Sequence, residues 1–170
     1  MSQPVDGRLA PLLAGTIAPD FTLSYTPSAR LSLHNLRGQR IVLVFYPFDW
    51  EPVTREQLTL YQTYASEFAR TGACLLGVSI DHVWCHEAFA RAAEIRFPLL
   101  SDFQPRGAVA RLYGVYRARQ GHSARALFVV DRAGIVRLSQ VYADNLNPGV
   151  DGILSALEVI ASDTEAPAER

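Results

Sequence analysis

Three patterns predict an α/β domain with a mixed central sheet and helices on both faces. An unbroken apolar run at residues 41–46 and a second buried run at 74–80 are each followed by a stretch with helical spacing of its apolar residues. A hairpin pattern comes next, residues 126–131 and 135–141 flanking Arg132-Ala133-Gly134. An amphipathic segment at 150–161, carrying Ile153, Leu154, Leu157 and Ile160, closes the domain. Strand and helix in alternation call for parallel neighbours, and the later hairpin adds antiparallel ones, so the sheet is mixed.

Composition limits what such a domain does. With 170 residues, 49% of them hydrophobic, the chain suffices for one domain with a sizeable core. We expect an irregular arm at 1–17, punctuated by Pro4, Gly7, Pro11 and Gly15, then the domain at 18–161 and a frayed tail at 162–170. A net charge of −1 and the absence of a basic run with interleaved aromatics argue against nucleic acid. The apolar patch at 9–17 is too short to span a bilayer and has no charged lead, so no membrane partner and a cytoplasmic location are expected. Two cysteines, Cys74 and Cys85, make no disulfide framework, which fits a reducing compartment. Every cationic residue is arginine, a bias from which no function is inferred.

The first elements are short. Phe21 and Leu23 face one way and Thr22 the other, as in a strand, and residues 31–36 lead to a turn at Gly38. The run at 41–46 is apolar throughout, suiting a central strand covered on both faces, and Pro47 ends it. Pro52 sits where proline opens helices; Leu58, Tyr61, Ala65 and Phe68 follow at helical spacing, and Gly72 closes a predicted helix over 52–70. The second strand leads to a helix over 84–94, with Trp84, Ala88 and Ala92 on one stripe. An extended piece at 97–102 and a short helix at 107–113 follow.

The stretch at 41–57, IVLVFYPFDWEPVTREQ, is the one that looks built for chemistry. A helix starting just past the carboxyl end of a central strand presents unpaired N–H groups and the positive end of its dipole, which stabilise anions and acidify thiols. FYPFDWEPVTREQ resembles the active-site segment of the peroxiredoxins, the alkyl hydroperoxide reductase/thiol-specific antioxidant family, whose pattern is Pro-x-x-x-Thr-x-x-Cys. The resemblance continues through APDFTL at 18–23, VSID at 78–81, His86 and Phe89, FPLLSDF at 97–103, GAVARLYGV at 107–115 and SARALFVVDRAGIVR at 123–137. It is similar above all to the one-cysteine alkyl hydroperoxide reductase E-like group. The likeness implies a thioredoxin-like (peroxiredoxin) fold, an antioxidant thiol peroxidase fed by an external thiol reductant, a homodimer, and no cofactor or metal.

By that resemblance Pro47 matches the motif proline and Arg125 the active-site arginine. The motif threonine falls on Glu51 and the peroxidatic cysteine on Thr54. A threonine hydroxyl cannot accept oxygen and be reduced again, as a thiolate does. The expectation is therefore a peroxiredoxin-like pseudoenzyme, with Glu51 either reaching Arg125 and supplying the missing negative charge or lying in solvent at the helix start. Its retained pocket would take a peroxide or small anion, or its dimer face would dock a partner.

The rival is a redox protein using Cys85. This residue stands at the start of the second helix near His82 and His86, where a helix N-terminus would favour an acidic thiol; the plainer reading, and the one preferred, is an inert half-buried cysteine. His82, Cys85 and His86, at i, i+3 and i+4, also permit a zinc set without diagnosing one. Thr54 as a nucleophile with Glu51 as base lacks a third member and an oxyanion hole. Cys74 reads as a core residue, and Trp50 as pocket wall or dimer surface.

Overall fold

A computed structural model describes residues 8–165. A seven-stranded sheet runs in the order β2-β1-β5-β4-β3-β8-β9. Its strands are β1 (Thr22–Ser24), β2 (Arg30–Ser32), β3 (Arg40–Phe45), β4 (Ala73–Ser79), β5 (Leu99–Ser101), β8 (Arg125–Val130) and β9 (Val136–Tyr142). β6 (Tyr116–Arg117) and β7 (His122–Ser123) form a separate two-stranded ribbon that the sequence patterns do not announce. β3, β4 and β5 are parallel, and the remaining pairings are antiparallel. This is the mixed central sheet with helices on both faces that the sequence predicts.

β3 lies between β4 and β8, and all six of its residues are buried. Its side chains alternate between two cores. Ile41, Leu43 and Phe45 join Phe21, Tyr113 and Phe128 beneath α4 (Ala108–Leu112), a short 3-10 helix (Leu33–Leu36) and the arm. Val42, Val44 and Tyr46 join Leu58, Tyr61, Phe89 and Leu157 beneath four helices: α1 (Pro52–Thr63), α2 (Ala65–Arg70), α3 (Val83–Ala93) and α5 (Asp151–Glu165). Close packing reaches the backbone at Gly77, where a Cβ would stand 2.6 Å from Leu99 Cδ2. The arm is pinned by Ala10 N–H donating to Gly114 O, with Gly114 at φ 72°.

Two expected boundaries move. The predicted helix over 52–70 is interrupted at Tyr64, where φ −92° and ψ 12° depart from the helix. The Thr63 hydroxyl there donates back to Thr59 O, a bond that bends helices; the apolar stripe passes over the break because both pieces bury their apolar faces in one core. α5 continues to Glu165, so the expected tail begins as helix. The expectations for residues 1–7 and 166–170 lie outside the described residues. No described helix is long and apolar enough to cross a membrane.

Candidate functional site

β3 delivers the chain to Tyr46 and Pro47, and a turn through Phe48, Asp49 and Trp50 swings it into α1. Trp50 has φ 66°, a left-handed conformation costing a bulky residue about 1–2 kcal/mol. Two contacts hold it there. Asp49 N–H donates to Asp81 Oδ2 at 2.8 Å, and the Trp50 ring meets Phe89 edge-on at 5.4 Å.

Glu51 is the N-cap of α1. Its carboxylate accepts from Val53 N–H at 3.0 Å, and from Thr54 N–H at 2.8 Å and the Thr54 hydroxyl at 2.9 Å. Arg125 arrives from the sheet. Along β8, Leu127 and Val129 face the four-helix side, so the same alternation turns Arg125 toward the start of α1. Its side chain is fully buried.

All five guanidinium donors are used within the chain. Nη2 donates to Glu51 Oε2 at 2.7 Å and to Asp144 O at 2.9 Å, and Nε to Asp144 O at 3.2 Å. Nη1 donates to Gln57 Oε1 at 2.8 Å and to Thr54 Oγ1 at 3.3 Å. Gln57 in turn donates to Tyr61 Oη at 3.1 Å. A guanidinium has five N–H groups and no more. The site is therefore an internally closed ion pair, with a carboxylate held between an arginine and a helix N-terminus. Partial burial on its own would raise the Glu51 carboxyl. The N–H groups of Val53 and Thr54, then Arg125 and the Thr54 hydroxyl, outweigh it and hold the group below the usual carboxylate range.

Beneath the turn lies a second polar network. The Tyr46 hydroxyl donates to Asp49 Oδ1 at 2.8 Å, and His86 Nδ1 lies 2.7 Å from Asp49 Oδ2. His86 Nε2 donates to Leu100 O at 3.1 Å. Since a carbonyl only accepts, Nε2 carries a hydrogen. Asp81 Oδ2 accepts from the Ser79 hydroxyl at 2.6 Å as well as from Asp49 N–H. Burial, together with the Asp49 charge, raises the Asp81 carboxyl above its usual range.

The structure thus brings Pro47, Glu51, Thr54 and Arg125 to one end of the sheet, with Glu51 on Arg125 rather than in solvent. Thr54 is fully buried and its hydroxyl committed, in the first turn of α1. Cys85 is not part of this cluster's bonding. Its Sγ lies 3.9 Å from Asp81 Oδ1. Burial and then the charges of Asp49 and Asp81 push its thiol up to about 11, so the acidic thiol that a redox role for Cys85 requires is not found at the start of α3. The helix N-terminus is there, but burial and two carboxylates overrule it.

The candidate zinc set does not converge either. His82 caps α3, its Nδ1 accepting from Trp84 N–H at 3.4 Å, and both nitrogens of His86 are engaged elsewhere. Among the described residues the group that could surround an ion is instead Asp49, Asp81 and Cys85, ligand atoms within 4.8 Å of one another. Both Asp49 oxygens already serve Tyr46 and His86. Cys74 Sγ donates to Gln39 Oε1 at 3.4 Å at the opposite end of β4, half-buried against the core. Neither cysteine is in a disulfide. Trp50 is 50% exposed, which leaves it a surface wall of the turn.

Sequence reasoning missed Gln57, Asp49, Asp81 and the Asp144 carbonyl. Gln57 had a signal: it follows Thr54 by three positions, on the same face of α1. The Asp144 carbonyl had none, being a backbone group in the loop after β9.

Comparison with known proteins agrees with this architecture. The sequence model described as "AhpC/TSA family" matches residues 14–139. The chain belongs to that family. It is 35% identical over 131 residues to alkyl hydroperoxide reductase E of Mycobacterium bovis, covering 76% of this chain and 86% of the relative. The crystal structure of Enterococcus faecalis AhpC superposes with a TM-score of 0.83 at 25% identity, covering 93% of this chain and 98% of that one. The reduced 2-Cys peroxiredoxin of Plasmodium vivax gives 0.84 at 25% identity, over 94% and 90% of the two chains. The AhpC/TSA chain described above is thus a peroxiredoxin by sequence and by fold.

Proposed function

We propose that this peroxiredoxin has lost ordinary peroxide reduction and persists as a pseudoenzyme, Thr54 standing where relatives carry the peroxidatic cysteine. The single observation that carries the reading is the saturation of Arg125. Peroxide reduction moves two electrons from a thiolate sulfur to the O–O bond, leaving sulfenic acid and an alcohol or water. That step needs an oxidisable atom and a free cation beside it. Here a fully buried hydroxyl takes the place of the first, and the Glu51 carboxylate takes up the second. The seat where a peroxide or small anion was expected is filled by a side chain of the protein.

The rival reading, an antioxidant peroxidase using Cys85 and an external thiol, has less support. With a thiol pushed to about 11, only about one molecule in ten thousand carries a thiolate at pH 7. β4 also separates Cys85 from Cys74 by more than about 15 Å of strand, so neither resolves the other within one chain. Transient-state peroxide consumption by the natural protein, beside Cys85→Ser and Cys74→Ser, tests the reading: no fast phase in any of the three is expected, and a fast phase lost only in Cys85→Ser overturns it.

The chain is further proposed to act in the cytoplasm as a homodimer. Phe48, Trp50, Trp84 and Phe103, 37–62% exposed, offer aromatic surface around the carboxyl ends of the strands for such pairing. Analytical ultracentrifugation at micromolar concentration should give the dimer mass, and a monomer would refute it.

A further inference from the structure

The amino ends of β3 and β4, at the opposite edge of the sheet from Glu51, carry a cation cluster with the reverse property. Arg40 opens β3 and is 6% exposed. Its backbone N–H donates to Gly72 O and its Nη1 to Thr71 O, where α2 ends. Its Nε is buried and has no hydrogen-bond partner among the described residues. A buried donor left unpaired costs about 1–3 kcal/mol, and more when charged. Like Arg117 Nε, Arg40 Nε is a buried donor left unpaired, whereas Arg125 is saturated.

Arg40 lines a cleft of about 590 Å³ with Arg70, Arg132, Thr71, Ser162 and Glu158. Arg132 sits between β8 and β9, is exposed, and makes no ion pair among the described residues. Arg70 is held by Glu67 at 2.7 Å. Gly72 forms the floor. The point where its Cβ would stand is 3.5 Å from Arg132 Nη2 and 3.7 Å from Arg40 Nη1, so two guanidinium groups face one open space over the backbone. The Thr71 and Ser162 hydroxyls donate to the carbonyls of Phe68 and Glu158, leaving the arginines as the donors on offer. No aromatic ring lines the cleft to stack a base. Among the described lining residues one carboxylate, Glu158, opposes an anion.

We propose that this cleft binds a small multivalent oxyanion of the phosphate type, Arg40 and Arg132 forming its two arms. Fork-shaped guanidinium groups suit such oxygens, and those of Arg40 and Arg132 meet over Gly72. Glu158 weakens the site, so its charge sets the affinity from the other side.

The test is calorimetric titration of pyrophosphate into the full chain and three variants at surface positions. Binding to the natural protein at millimolar or lower dissociation constant is expected, weakened about tenfold in Arg132→Ala, tightened in Glu158→Gln and unchanged in Arg91→Ala, on the exposed side of α3. NMR perturbation should centre on Gly72 and Ser162. No binding at millimolar pyrophosphate would overturn the proposal. Equal weakening by Arg91→Ala and Arg132→Ala would overturn it too, since that is general charge attraction rather than a site.

Discussion

A cysteine placed at position 54 should not be an acidic thiol while Glu51 remains. In Thr54→Cys the sulfur replaces a hydroxyl that lies 2.9 Å from Glu51 Oε2 and 3.3 Å from Arg125 Nη1. Two unit charges about 4 Å apart interact by about 4 kcal/mol at an effective dielectric constant near 20. Repulsion from Glu51 and attraction to Arg125 are thus of one size and nearly cancel, so that, apart from burial, which raises the thiol alike in both variants, it stays near its ordinary value of about 8.5. In Glu51→Thr/Thr54→Cys the repulsion is gone. The arginine's share, about 4 kcal/mol or three pH units at about 1.36 kcal/mol each, then brings the thiol to about 5.5, within the range of activated cysteines. At pH 7 the thiolate fraction rises from about 3% to about 97%, roughly a thirtyfold gain. Ultraviolet titration of the thiolate and stopped-flow oxidation by hydrogen peroxide measure both quantities. A single Thr54→Cys variant as acidic and as fast as the double variant would refute the view that Glu51 neutralises this site.

Four further outcomes follow from the same geometry. Glu51→Ala removes two cap bonds and the partner of a fully buried arginine, and should cost about 2–4 kcal/mol in urea denaturation, while Glu51→Gln, which keeps acceptor atoms, should cost less. Because the folded state holds the Glu51 carboxyl low, its contribution is complete above the unfolded value and is lost as pH falls through the folded one; stability should therefore drop more steeply below about pH 4.5 in the natural protein than in Glu51→Gln. Asp81 runs the other way: its raised carboxyl makes ionisation a penalty that grows as pH rises, so Asp81→Asn should be the more stable protein at pH 7 and lose that advantage in acid. Alkylation of Cys85 by iodoacetamide should be slow at pH 7 and rise until about pH 11, whereas a plateau near pH 7 would mean that Asp49 and Asp81 do not suppress the thiol.

Much of the frame was written in local pattern. The apolar run of β3, the proline after it and the proline opening α1 are short-range signals, and they place Glu51 and Thr54 at a helix start with little else needed. β8 shows the limit. Its alternation is legible, but that Arg125 faces α1 depends on which of two cores each parity meets, and it was the resemblance that singled the residue out. The break at Tyr64 was hidden because the apolar stripe continues across it. Cys85 misled for a similar reason: the helix start that acidifies a thiol is visible in the sequence, while Asp49, which counters it, comes from a distant turn folded against α3. The ribbon of β6 and β7 has two residues per strand, too few for any period to register.

The most direct test of the central claim is single-turnover oxidation of the natural protein by hydrogen peroxide, following peroxide consumption and free-thiol loss together, with Cys85→Ser and Cys74→Ser alongside. Thiol loss no faster than that of a free cysteine, and indifferent to either substitution, is the predicted result. Rapid loss abolished by Cys85→Ser alone would contradict it and make this chain a working peroxidase with a relocated sulfur.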